Sequence, residues 1–274
     1  MYLPFLPLST TRHNMAVFLL LFSLVVSSAT ACDRCVLQSK AAYFSKSSAL
    51  TSGACGYGSL AVGLSGGHLA AAFPSLYKDG AACGACFQIR CKNPSLCKKT
   101  GTTVVVTDLN NNNNQTDFVL SSRAFSAMAD KGMSEQILKL GIVDVEYKRV
   151  PCVYKNRNLG VRVEESSKKP NYLAIKFLYQ GGQTEIVGVD VAQVGSSNWR
   201  FMSRKNGAIW ETERAPEGAL QLRMVVTSGY DGKWIWAPKV LPEDWKAGLI
   251  YDSGVQITDI AKQACSPCDD GPWS

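Results

Sequence analysis

Two aspartates, Asp108 and Asp117, flank a run of asparagines in the stretch VVTDLNNNNNQTDFVLSS, residues 105–122. Paired carboxyl groups are what glycosidic cleavage needs: one protonates the leaving oxygen while the other activates water or attacks, at separations of about 5–9.5 Å. A solvated carboxylate works as the acid only if burial or a like charge holds its proton near neutral pH. Asp108 also reads as a turn residue after the Val104–Val106 run, since Asp accepts local backbone hydrogen bonds well. Both roles stay open on the sequence. Asn114-Gln115-Thr116 is a glycosylation sequon, with Asn114 as the acceptor.

Ten cysteines offer a second chemistry: Cys32, Cys35, Cys55, Cys83, Cys86, Cys91, Cys97, Cys152, Cys265 and Cys268. Three C-x-x-C pairs suit zinc or disulfides. His68 is the only histidine after residue 31, and an even count in a secreted chain favours bridges, so no metal and no other cofactor is expected. Secretion itself is read from the start of the chain. Residues 1–31 combine Arg12, the apolar run AVFLLLFSLVV and the small-x-small Ala29-Thr30-Ala31. That is the pattern of a signal peptide cut after Ala31. The run falls short of the roughly 20 residues a membrane helix requires, so no membrane association is expected.

Removing that segment takes away Arg12 and no acid, so the formal charge falls from +7 to +6. The excess is spread along the chain without a basic block, which suits weak attraction to an acidic matrix rather than a nucleic-acid site. Cysteines crowd into Cys55–Cys152 and are absent from there to Cys265, which divides the chain into a stapled and an unstapled half. The stapled half carries short β-type runs between Gly-rich turns, with helical stretches in HLAAAFPSLY, interrupted by Pro74, and on either side of Gly132. Strands are expected over 172–179, 185–191 and 220–226 of the other half, each ended by a turn signal, the pattern of a β-sandwich.

Several stretches resemble plant expansins. GACGYG (53–58), GAACGACFQIRC (80–91), TDLN (107–110), LSSRAF (120–125) and GIVDVEYKRVPC (141–152) resemble the first expansin domain. PNYLAI (170–175), NWRFMSRKNGAIW (198–210) and LPEDWKAG (241–248) resemble the second. The CDRC at 32–35 and a tail carrying CSPC (265–268) point to the expansin-like A branch. The resemblance implies an all-β chain: a six-stranded double-psi β-barrel followed by an immunoglobulin-like β-sandwich that binds carbohydrate. The expected division is signal peptide 1–31, N-terminal segment 32–52, barrel 53–157, linker 158–170, sandwich 171–255 and tail 256–274. It also implies bridges Cys55–Cys83, Cys86–Cys152 and Cys91–Cys97. Cys32, Cys35, Cys265 and Cys268 then either cross-link the two ends or close locally, and the chain-entropy model favours the longer loop.

By the same resemblance, Asp108 takes the place of one groove aspartate, while Val119 stands where the family has the other. Val119 can neither donate nor take a proton. Asp117, two residues away, shares a strand face with it at about 6.5–7 Å along the chain. The expected function is a secreted cell-wall protein, a monomer, that binds cellulose, xyloglucan or another matrix glucan and loosens non-covalent contacts without hydrolysis. The alternatives are a weak glycoside hydrolase or lytic transglycosylase using Asp108 and Asp117, and a wall-binding or signalling module without loosening. Tyr172 and Trp210 match exposed aromatics of the second domain, and Tyr43 and Phe44 match a pair on the first. Aromatic rings bind sugars by stacking on their apolar faces. Trp199 and Trp245 read as core, and the alternating Trp234 and Trp236 share one strand face.

Overall fold

The computed structural model describes residues 36–44, 53–111, 116–227, 232–258 and 273. The signal segment 1–31, Asn114, Cys32, Cys35, Cys265 and Cys268 lie outside the described residues. The chain is all-β, in two bodies. Six strands, β1 (Leu37–Phe44), β2 (Leu69–Ala72), β3 (Cys86–Cys91), β4 (Thr102–Leu109), β5 (Phe118–Ser121) and β6 (Ile142–Arg149), close into a barrel in the order β1-β5-β2-β4-β3-β6. β1 runs parallel to β5 and β2 parallel to β4, while the other pairs are antiparallel. Because β1 closes the barrel between β5 and β6, the barrel begins ahead of residue 53, where the sequence reading had started it.

The alanine-rich stretch expected to be helical is instead a strand. Leu69–Ala72 is hydrogen-bonded on both sides, by β4 and β5, and all four residues are buried. Barrel closure overrides the intrinsic helix preference of alanine. The helix starts only at Pro74, whose fixed φ suits a first helical position. Two short helices, Ser122–Ser126 and Ser134–Leu140, flank Gly132 as expected. Ser121 Oγ caps the first by accepting from Ala124 N at 3.2 Å.

The second body holds β7 (Gly160–Val163), β8 (Leu173–Leu178), β9 (Glu185–Gln193), β10 (Arg200–Asn206), β11 (Ile209–Thr212), β12 (Leu220–Thr227), β13 (Gly232–Leu241) and β14 (Ile250–Asp252), ordered β13-β12-β9-β10-β11-β8-β7-β14. β10 pairs with β9 through Arg200–Met202 and with β11 from Ser203 onward, so it belongs to both halves of the fold. Met202, Val189, Val191 and Met224 from one half pack in one core with Ile175, Leu173, Val163 and Trp210 from the other. The stretch 158–170 is more than a linker, since β7 lies inside it and pairs with β8. Each fully buried Leu, Ile or Phe contributes about 1.5–3 kcal/mol. Surface ion pairs contribute about 0–1 kcal/mol, so the two cores hold the bodies together and the ion pairs do not.

Disulfides join Cys55 to Cys83, Cys86 to Cys152 and Cys91 to Cys97, the pairs the resemblance implies. Cys152 also makes a β-bridge with Gly182, which ties the end of the barrel to the sandwich. Around that point the junction is polar and tight. Arg204 donates to the carbonyls of Gly80 (3.2 Å), Gly207 (2.8 Å) and Ile186 (2.5 Å), and its guanidinium lies 4.3 Å from the Trp210 ring centroid. Glu185 pairs with Lys78 of the barrel at 2.7 Å and with Arg149 at 3.7 Å. Burial pulls Arg149 down to about 10, against the opposing pull of the Glu185 charge.

Gly80 and Gly207 meet backbone to backbone. A Cβ on Gly80 would stand 2.6 Å from Gly207 O, and one on Gly207 would stand 2.3 Å from Ala54 O. Gly207 also has φ +51, in the left-handed region. Gly207→Ala is therefore expected to cost about 2 kcal/mol or more, lowering the thermal midpoint by roughly 4–8 °C. An unchanged midpoint in a calorimetric scan would show that the two backbones have room to part.

Candidate functional site

The outward face of the barrel carries a shallow strip. Ala71 on β2 stands in register with Asp108 on β4 and Val119 on β5, and Val119 with Ala42 on β1. Register partners share a face, so Asp108, Ala71, Val119 and Ala42 form one row across four strands. Their chain neighbours Phe118, Leu120 and Ala41 point into the core. Phe44 lies two residues beyond Ala42 on the same side of β1, in the next row, with Ser121 as its register partner. Tyr43 alternates to the other side, where its ring packs 5.0 Å from Phe125 and its hydroxyl donates to Leu138 O at 3.3 Å. The strip thus contains Phe44 but not Tyr43.

Asp108 has the structural role, one of the two that its sequence context left open. Its Oδ1 accepts from Leu109 N at 2.8 Å and from Ala54 N at 2.6 Å, which anchors the 53–56 segment beside β4. Gly53 fits there because a Cβ would stand 2.5 Å from Thr107 O. Half-buried, the carboxylate still lies on the strip. Its negative charge, after burial, helps push the Tyr77 phenol above its ordinary range.

Asp117 is elsewhere engaged. Its backbone N–H donates to Ser39 Oγ at 3.3 Å, its carbonyl accepts from Phe73 N at 2.8 Å, and its Oδ2 accepts from the Tyr147 hydroxyl at 2.9 Å. Tyr147 belongs to the barrel core, with its ring edge-on to Phe118. Burial first, and the Asp117 hydrogen bond second, push that phenol well above its ordinary range. Strand β2 separates Asp117 from Asp108 laterally, and Asp117 stands beside Phe73, two residues along from Ala71. The two carboxylates do not converge on one reacting atom.

From Asp108 the surface continues onto the sandwich. Gly56 O accepts from Lys176 Nζ, and the Ile209 side chain stands 3.3 Å from where a Gly56 Cβ would be. Ile209 and Lys176 are register partners on β11 and β8, as are Glu211 and Ala174. Glu211 in turn accepts from the Tyr172 hydroxyl at 2.5 Å and pairs with Lys205 at 2.8 Å. The Lys205 hydrogen bond, then that of Tyr172, hold the Glu211 carboxyl below the usual carboxylate range. Tyr172 therefore sits in a half-exposed polar cluster on the sandwich, two residues ahead of Ala174 on β8 and four ahead of Lys176, which contacts the barrel.

Trp210 does not join it. Expected to be exposed, its ring is 3 % exposed, because pairing with Ile175 turns it into the sandwich core, with Arg204 covering one face. Trp245 is buried as expected. Sequence reasoning missed Phe201, and it left the direction of Trp234 and Trp236 open. All three are exposed on the opposite sheet, and Trp199, expected in the core, is instead half-buried beside them against Trp236 and Arg223. Among the described residues, no three His, Cys, Asp or Glu side chains gather to hold a metal ion, and no helix is long and apolar enough to cross a membrane.

Comparison with known proteins gives matches over both bodies. A family model described as lytic transglycolase matches residues 69–147, and the expansin C-terminal domain matches residues 159–242. Expansin-like A2 of Arabidopsis thaliana is 64% identical over 94% of this chain and 98% of its own. Expansin-like A3 of Oryza sativa subsp. japonica is 51% identical over 89% of this chain and 91% of its own. Among solved structures, the apo expansin of Clavibacter michiganensis superposes with a TM-score of 0.62 at 19% identity, covering 82% of this chain and all of that one. A second structure of that expansin, solved with cellohexaose, superposes equally well at 20% identity.

The burial of Trp210 makes a direct prediction. Trp210→Ala is expected to destabilise the protein by about 3–5 kcal/mol, as for other buried tryptophans, measured by urea unfolding. A variant of unchanged stability and weakened polysaccharide binding would return Trp210 to the surface role.

Proposed function

The chain belongs to the expansin-like A group of the expansin family, and from that premise we propose that it is a secreted, monomeric protein of the plant cell wall. It binds wall glucans and disturbs their non-covalent contacts without cleaving them. The observation that supports this reading is the set of solvent-reachable groups on both bodies, Asp108, Val119, Ala42 and Phe44 on the barrel and Tyr172, Glu211 and Lys205 on the sandwich, with the bodies joined between them at Gly56 and Lys176. A glucan chain lies along Phe44, Ala42, Val119 and Asp108, over the buried Ala71, then passes the 53–56 segment to Tyr172. Apolar side chains on the strip meet the C–H faces of the sugars, and the Asp108, Glu211 and Lys205 groups take up hydroxyls. The cellohexaose held by the bacterial expansin is a ligand of this class.

Three features support a non-hydrolytic role. Val119 occupies the register position facing Ala71 where a second carboxylate would complete the strip. Asp108 is bound by two backbone amides, and Asp117 already accepts the Tyr147 proton at the end of the barrel. The cleavage alternative has the description of the barrel's family model in its favour, but it needs two carboxyl groups on one bond.

We propose in addition that Cys32 and Cys35 pair with Cys265 and Cys268. Trp273 N donates to Gln88 Oε1 at 2.9 Å, and the Trp273 ring lies 4.0 Å from the Arg90 guanidinium. That docking spot is on β3, whose neighbour β6 also pairs with β1. Cys35 precedes β1 by two residues and Cys268 precedes Trp273 by five, a span of at most roughly 18 Å at full extension. The docking of Trp273 beside Gln88 and Arg90 supports the cross-linked pairing over two local loops.

Purified protein incubated with cellulose, xyloglucan and mixed-linkage glucan is expected to bind without releasing reducing ends, and Tyr172→Ala to bind more weakly. Reducing-end release abolished by Asp108→Asn would make this an enzyme. For the cysteines, non-reduced peptide mapping is expected to join the 32–35 and 265–268 peptides, and local loops alone would end the proposal.

A further inference from the structure

The outward face of the sheet β13-β12-β9-β10 carries aromatic side chains that the proposed strip does not use. Trp236 pairs in register with Arg223, Arg223 with Asp190, and Asp190 with Phe201, so four side chains stand in one row across four strands. Trp234, Val225 and Gly188 form the next row. The alternate residues Leu222, Met224, Val189, Val191, Met202 and Ala237 fill the core, which fixes the direction of these rows toward solvent. Phe201 is 66 %, Trp236 55 % and Trp234 47 % exposed. Single exposed apolar side chains are ordinary, but a contiguous group of large rings marks a contact surface.

We propose that this face is a second carbohydrate-binding surface and that its occupant is one uncharged polysaccharide chain. This proposal rests on the glucan-binding reading above and adds a site on a different sheet from Tyr172. Arg223 organises the rings: its guanidinium stands 4.4 Å from the Trp199 centroid and 4.7 Å from that of Trp234, and Trp199 meets Trp236 edge-on at 5.6 Å. Stacked between rings, the arginine holds them upright rather than letting them collapse onto the sheet. Its charge is met within the row, since Arg223 Nε donates to Asp190 Oδ2 at 2.8 Å. A balanced ion pair at the centre gives a polyanion little to answer, which selects an uncharged partner over an acidic one.

The dimensions suit an extended chain. Phe201 and Trp236 lie three strand spacings apart, about 14 Å, with a hydrogen-bonding pair between them. A polysaccharide presents the same sequence of surfaces: apolar ring faces alternating with hydroxyl-bearing edges. Gly188 leaves the second row low beside Val225, where a Cβ would come no closer than 3.5 Å to its side chain. A flat floor with rings at its margins accepts a linear chain along its length.

The test is calorimetric titration with cellohexaose of the wild type, Trp234→Ala/Trp236→Ala, Phe201→Ala and Tyr172→Ala, each checked for an unchanged thermal midpoint. The wild type is expected to take two chains per protein. Loss of the tryptophans, or independently of Phe201, is expected to remove one chain or weaken one site about ten-fold, while Tyr172→Ala spares that site. Quenching of tryptophan fluorescence by cellohexaose should fall in the double tryptophan and Phe201→Ala variants and persist in Tyr172→Ala. One chain per wild-type protein, lost with Tyr172→Ala and unchanged in the other variants, overturns this proposal and leaves the barrel strip standing. No glycan bound by the wild type overturns both. A concentration-dependent dimer abolished by Trp234→Ala/Trp236→Ala, with glucan binding unchanged, assigns the face to a second copy and overturns it too.

Discussion

Gly80 of the barrel and Gly207 of the sandwich touch through their backbones, and the arrangement of the two bodies follows from that contact. With no side chain between them, the carbonyls of both glycines come within reach of one guanidinium, that of Arg204. Arg204 is itself held flat against Trp210, so a core residue of the sandwich sets the position of a group that grips the barrel. Burial lowers the Arg204 pKa, and nearby Tyr57, Tyr77 and Glu185 offset part of that cost. The relative placement of Asp108 and Tyr172, on which the proposed glucan path depends, follows from this junction.

The same constraint explains which groups remain for binding. Side chains near the junction that carry charge, such as Lys176 and Glu185, are committed to it. Lys205, Glu211 and Tyr172 lie just outside it and keep contact with solvent. In the barrel, Asp108 has a comparable position, with one oxygen tying the 53–56 segment and the side chain still half-exposed. The groups proposed to bind glucan are thus placed by bonds that are structural first.

Much of this was legible in the sequence, and the failures share a cause. The expansin resemblance, carried by GAACGACFQIRC in the first half and NWRFMSRKNGAIW in the second, implied the barrel, its disulfides and the sandwich. What failed depended on pairing between distant strands. Alanines 70–72 become a strand because β4 and β5 flank them. Trp210 faces inward because Ile175 is its register partner, and a slip of one residue would have exposed it. The alternation of Trp234 and Trp236 gave a shared face, but only the pairing with Val225 and Arg223 turns that face outward. Asp117 finds its partner in Tyr147, thirty residues away in sequence, through the curvature of a closed barrel.

β13 stands at the margin of its sheet and carries two exposed tryptophans. An open, apolar strand edge is the usual template on which chains stick to one another. This one is blunted by its own sequence: Pro238 offers no N–H, Lys239 is exposed and charged, and the pairing with β12 shifts register between Leu220 and Leu222. The margin is therefore a poor surface for adding another strand. Rings that would otherwise invite precipitation are carried on an edge that resists it.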